Sequence, residues 1–100
     1  MNTQIRIYTI NRGKLAQFAA EWQAHIRPLR EKLGFRILGA WTLAENNQFV
    51  WLLHYAGERS FAESDAAYYQ HPERVAMDPN PARLIARAEE YFVEPFRLVD

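Results

Sequence analysis

The stretch FRILGAWTLAENNQFVWLLHYA, residues 35–56, reads as two strands around a turn, and in neither strand do apolar and polar residues alternate cleanly. A sheet packed on one side and wet on the other does alternate. In the second strand Trp51, Leu53 and Tyr55 occupy one parity and Val50, Leu52 and His54 the other, so both faces call for cover. The polar run Glu45, Asn46, Asn47, Gln48 marks the reversal, because asparagine tolerates the positive φ of tight turns. A two-residue turn at Asn46-Asn47 pairs Thr42 with Trp51, whereas an odd loop pairs Trp41 with Trp51. The residues alone leave both registers open.

The remaining elements carry their own marks. In QIRIYTI, residues 4–10, Ile5 and Ile7 alternate with Arg6 and Tyr8, which is a strand with two unlike faces. After the turn NRG, the residues Leu15, Phe18, Ala19, Trp22, Ile26, Leu29 and Leu33 recur at helical spacing and form one apolar stripe. Lys14, Gln17, Glu21, Arg27, Arg30 and Glu31 are assigned to the opposite side, and Gly34 caps the C-terminus. Pro28 lacks a backbone donor, which predicts a bend near Ala24. Ser60 and Glu63 have the spacing of a capping box, and Phe61, Ala62, Ala66, Tyr68 and Tyr69 supply the apolar side of the helix they open. That helix breaks at His71-Pro72, a short turn PERVAM follows, and DPNP is loop chemistry. ARLIARA reads as one or two helical turns, and EEYFVEPFRL as a last strand in which Pro95 marks an edge or an end.

The order is strand, helix, strand, strand, helix, strand, which is the ferredoxin-like arrangement of the α+β class. Its first and third strands are central in a four-stranded antiparallel sheet with both helices on one face. The other face then needs a cover. About three large side chains per strand, at ~1.5–3 kcal/mol each, give a gross term on the order of 20 kcal/mol, above an association cost of ~4–15 kcal/mol. A twofold homodimer, sheet against sheet, is the expected solution.

Composition removes several function classes. Twelve basic and twelve acidic residues cancel without forming blocks, which argues against nucleic acid and anionic membranes as partners. The chain has no cysteine, so thiolate metal sites and cysteine nucleophiles are excluded. MNTQIRIYTINRGK lacks the pattern of a signal peptide and no stretch approaches a membrane span, so the expectation is a cytoplasmic single domain over residues 1–100.

Arg6 and Tyr8 share a strand face, about 7 Å apart by the usual rise, and together suit an anionic or carbonyl-bearing ligand. The structural alternative is an ion pair of Arg6 within the dimer, for instance with Glu94. Trp41, Trp51 and Tyr55 have the make-up of an apolar pocket with a hydrogen-bonding tip, or else of core. His54 and His25 are candidates for a base or a haem ligand, with a hydrogen-bonded structural role as the alternative; His71 is read as a helix-end residue. No histidine pair has ligand spacing on one helix face, so neither metal nor cofactor is expected. There is no nucleophile elbow and no phosphate-cradling glycine loop.

The early strand with Arg6 and Tyr8, then GKLAQF, PLREKLGFRILGAW, FVWLLHYA and YYQHPE, resembles the NIPSNAP family of the dimeric α/β-barrel superfamily. The likeness runs from about residue 4 to 98. It implies a barrel made by two four-stranded sheets, with edge strands meeting across a dimer. Superfamily neighbours include cofactor-free monooxygenases, haem enzymes and isomerases, and the resemblance singles out none of these reactions. The leading expectation is a homodimer with a small-molecule site beside or inside the sheet, acting as a cofactor-independent oxygenase or isomerase. The alternative is a non-catalytic binding or assembly module whose barrel is a packed dimer core.

Overall fold

The alternation near the start of the chain becomes β1, Thr3–Ile10, in which Gln4, Arg6, Tyr8 and Ile10 are buried and the residues between them half-buried. The computed structural model describes residues 1–100. The face bearing Arg6 and Tyr8, not the one bearing Ile5 and Ile7, is the one that packs under the helices. The long apolar stripe forms α1, Leu15–Glu21, and α2, Arg27–Lys32, joined without a break by a π-helical turn over Trp22–Ile26. Arg27 donates its N–H to Trp22 O, so the ladder shifts by one residue just ahead of Pro28. The distortion that the proline predicts near Ala24 takes the form of this wider turn. Gly34 ends the helix at φ 93°, a conformation glycine adopts without steric cost.

β2, Arg36–Leu43, and β3, Gln48–His54, pair antiparallel with Leu43 opposite Gln48, Trp41 opposite Val50 and Ala40 opposite Trp51. Neither the Thr42–Trp51 nor the Trp41–Trp51 pairing forms, because the reversal is longer than two residues and even in length. A 3₁₀ turn over Ala44–Asn46 is closed by Asn47 at φ 54°. Asn47 is held there by Ile10, whose N–H donates to Asn47 O at 2.9 Å and whose carbonyl accepts from the Asn47 side chain.

Both bonds of the Ser60–Glu63 capping box are present at the start of α3, Phe61–Gln70. Its buried side is Phe61, Ser64 and Tyr68, while Ala62 and Ala66 are exposed, a departure from the apolar side assigned to them. α4, Pro72–Val75, follows, with the His71 side chain accepting from Glu73 N–H at 3.1 Å, the helix-end role predicted for it. Within ARLIARA only the end of a 3₁₀ turn, Pro81–Leu84, is helical; β4 begins at Ile85 and ends at Phe92, short of Pro95. Hydrogen bonding to β1 overrides the helix-forming alanines and arginines of that stretch.

The sheet order is β2-β3-β1-β4, with β1 and β3 central and every pairing antiparallel. This is the ferredoxin-like βαββαβ fold of the α+β class. The core lies between sheet and helices, where Phe18 and Trp22 meet Phe49 and Trp51 edge-on, with Trp22 and Trp51 centroids 5.4 Å apart. The parity question of β3 is thereby answered: Trp51 and Leu53 lie under the helices, and Val50, Leu52 and His54 on the open face. That face also carries Ile5, Ile7, Leu43, Tyr91 and Trp41, the last 51% exposed and lying across Gly39. No helix is long and apolar enough to cross a membrane.

Candidate functional site

Three arginines are drawn under the helices: Arg6 of β1 is 0% exposed, Arg30 of α2 1% and Arg74 of α4 9%. A buried guanidinium is costly unless paired and hydrogen-bonded. Asp65 of α3 answers for two of them, its Oδ1 accepting from Arg6 Nη2 at 2.9 Å and from Arg30 Nη1 at 2.8 Å. Arg6 is completed by Gln4 Oε1 at 2.7 Å, the Tyr69 hydroxyl at 3.0 Å and the more exposed Glu90 at 3.2 Å. The ion pair considered for Arg6 with a Glu94 across a dimer is therefore replaced by pairs within one chain, because Arg6 faces the helices and Glu94 lies beyond the end of β4.

Aromatic rings wall these cations in. The Arg30 guanidinium carbon sits 3.6 Å from the Tyr68 ring centroid and 4.7 Å from that of Phe35, and Arg74 lies 5.5 Å from Tyr69. Ring quadrupoles stabilise a desolvated cation, but they leave its N–H donors unused. Between Tyr8, Trp51, Tyr68, Tyr69, Arg30 and Arg74 is a hollow of about 60 Å³. Burial pushes the Tyr8 phenol up to about 12, against the pull of the Arg6 charge, and burial also raises Tyr68. Both are neutral donors at physiological pH. Burial alone lowers the Arg6 pKa, but Tyr8, Tyr69, Asp65 and Glu90 outweigh it and leave the pKa raised.

The Tyr8 shift has a stability consequence. A phenol whose folded value lies above its ordinary 10.0 contributes stability that is complete below pH 10 and is lost as pH rises toward 12. The loss is on the order of 2–3 kcal/mol. Urea unfolding at pH 9 and at pH 11.5 is expected to show this fall, with a shallower fall in Tyr8→Phe; equal slopes in the two proteins would mean that Tyr8 is not the group responsible.

With this geometry in place, comparison with known proteins adds the lineage. The NIPSNAP family model matches residues 3–98. The chain belongs to the NIPSNAP family. An uncharacterized NIPSNAP domain protein from Burkholderia xenovorans has a solved structure similar to it, with a TM-score of 0.82 and 22% identity over 100% of this chain and 99% of the other. A NIPSNAP family protein from Agrobacterium tumefaciens gives 0.82 and 19% over 94% and 91%. A Nitrosomonas europaea protein provisionally named as an antibiotic biosynthesis monooxygenase gives 0.65 and 13% over 89% and 84%, a likeness of fold. Among curated proteins nothing matches.

The other predicted site residues of this NIPSNAP chain lie apart from the arginine cluster. Trp51 joins Arg6 and Tyr8 beneath the helices, whereas Trp41 points to the opposite, open side of the sheet. Tyr55 packs against Phe35 at 5.0 Å, beside a separate hollow bounded by Arg59 and His71. His54 is on the open face, its Nδ1 2.8 Å from Thr3 Oγ1. His25 is exposed on the π-helical turn and borders a groove with Lys32, Glu73 and Met77. The histidines thus share no site with Arg6 and Tyr8. No three His, Asp or Glu side chains are grouped to hold a metal ion.

Arg30, Asp65 and Arg74 belong to the cluster although no local pattern in the sequence marks them as site residues. Arg30 counts among the residues opposite the apolar stripe, yet it follows Trp22 and Ile26 at intervals of four and is buried with them. Asp65 follows Phe61 by four and precedes Tyr68 by three, and so shares the buried side of α3. The signal was a charged residue at a core-facing interval on each of two helices. Only the pairing of the two explains either.

Proposed function

We propose that the protein is a cytoplasmic homodimer whose two sheets close into an α/β barrel, and whose subunits each bind a small molecule between sheet and helices, acting as a cofactor-independent oxygenase or isomerase through an enolate. One observation carries the site: Arg30, Arg74, Tyr8 and Tyr68 converge on the same hollow, so that cations and neutral phenols stand together in a desolvated place. When a carbon next to a carbonyl loses its proton, negative charge moves to the oxygen, and fixed donors there lower the barrier. An enolate so held can be reprotonated at another carbon or oxidised by dioxygen. No carboxylate or histidine borders the hollow, so the substrates that suit this site are carbon acids that ionise readily and give their proton to water. The fold shared with the Nitrosomonas protein is in keeping with oxygenase chemistry. The apolar open face supports the dimer, since a patch of that kind is uncommon on a soluble monomer.

The small size of the hollow, about 60 Å³, favours a second reading, an assembly module with a filled core. Two measurements separate them. Light scattering at micromolar concentration is expected to give twice the 11.8 kDa chain mass, and a monomer would remove the barrel from both readings. Proton NMR in D₂O of acetylacetone and other β-dicarbonyl compounds is expected to show carbon-bound deuterium exchange above the buffer rate, reduced in Tyr8→Phe. Exchange at the buffer rate across the panel would overturn the enolate chemistry.

A further inference from the structure

Arg74 differs from the other two buried arginines in having no carboxylate within ion-pair distance. Its Nε has no hydrogen-bond partner in the protein, and the same is true of Arg30 Nε and of the Tyr68 hydroxyl. All three side chains border the one hollow. Three guanidiniums stand against the carboxylates of Asp65 and Glu90, which leaves one positive charge in excess. Donors that are buried and unpaired, together with an uncompensated cation, describe the complement of a single negative charge.

We infer that the hollow takes the carboxylate of a small monoanionic organic acid, held by Arg30, Arg74 and Tyr68. This rests on the reading of the hollow as a ligand site but not on the reaction proposed for it. Size agrees with charge. The hollow, about 60 Å³, has room for the carboxyl group of a small acid, and the apolar side chains of Ile26, Ala82 and Ile85 in its lining suit the short alkyl chain behind it. A dianion would bring one charge more than the excess cation neutralises. Asp65 stays bound to Arg6 and Arg30 and keeps the Arg30 fork in place, so Arg30 offers the ligand its Nε–H.

The test follows the indole N–H signals of the folded protein by ¹H–¹⁵N NMR, because Trp51 borders the hollow. Acetate, propionate and butyrate are titrated beside methyl acetate, chloride, nitrate and inorganic phosphate. The expected result is saturable movement of the Trp51 signal with the carboxylates, weaker movement with phosphate and none with the neutral ester. Arg74→Gln and, separately, Tyr68→Phe are each expected to weaken binding by about tenfold, the worth of one charge-assisted hydrogen bond, in proteins whose remaining spectrum is native. Nitrate or chloride binding as tightly as the carboxylates would overturn the organic acid, and equal binding of the ester would overturn the charge argument. Affinity unchanged in both variants would make Arg74 and Tyr68 structural and sink the inference. Movement with no titrant would remove the ligand site, and with it the reading above. Carboxylate binding without any deuterium exchange would leave this inference standing and remove the enolate chemistry alone.

Discussion

Asp65→Ala is expected to destabilise the protein by about 3–5 kcal/mol, the usual cost of removing one partner from a buried charge cluster. The size follows from sharing. One carboxylate oxygen serves both Arg6 and Arg30, and after its loss Arg30 has no anion left while Arg6 keeps only Glu90, which is too exposed to replace it. Urea unfolding gives the value directly. Asp65→Asn retains an acceptor without the charge, so an intermediate loss is expected. The double variant Asp65→Ala with Arg30→Met should recover part of the stability, because an apolar side chain then fills the place of an unpaired cation. A single-variant loss below about 1 kcal/mol would show that the cluster is solvated and that its arginines are not held for a ligand in the way described.

Leu52→Asp is expected to split the proposed dimer while leaving each subunit folded. Leu52 is half-buried on the open face between Ile5 of β1 and Gly39 of β2. In a sheet-to-sheet dimer, twofold symmetry places two such carboxylates in a dry interface. Desolvating each costs several kcal/mol, so the dissociation constant should rise by about a thousandfold or more. Light scattering should then report 11.8 kDa, with the circular dichroism of the original. A variant that keeps the doubled mass would place the interface somewhere other than the open face.

Much of the fold was legible because its signals are local. The Ser60–Glu63 spacing, Gly34 after an apolar stripe and the alternation around Arg6 each report on a few neighbouring residues, and together they give the element order and the central strands. The face assignment of β3 was not legible, since Trp51 and Leu53 are as apolar as Val50 and Leu52. The register was decided by Asn47, whose conformation depends on its bonds to Ile10 in another strand. The start of β4 was hidden for the same reason, because IARA has no strand pattern of its own and becomes one only beside β1. The candidate site was half legible. Arg6, Tyr8 and Trp51 were singled out from their strands, but a charged residue on a helix looks solvated until its buried partner is known. Arg30 and Asp65 are thirty-five positions apart and account for each other only in three dimensions.

The π-helical turn over Trp22–Ile26 has a consequence for how this chain tolerates changes in length. An α-helix turns by about 100° per residue, and a π-turn accommodates one residue more than the α-turn it replaces. Deleting a single residue among Gln23, Ala24 and His25, all exposed, would let the segment relax into an uninterrupted α-helix, with Pro28 then opposing it. The flanking residues would keep their facing, Phe18 and Leu29 toward the core and Arg30 toward Asp65, because the deletion removes only the extra residue that the wider turn accommodates. A relative built on a regular helix carries one residue fewer between its counterparts of Phe18 and Arg30. An alignment that forbids gaps inside helices would set the wrong residue against Arg30 and make a shared arginine look like a lost one.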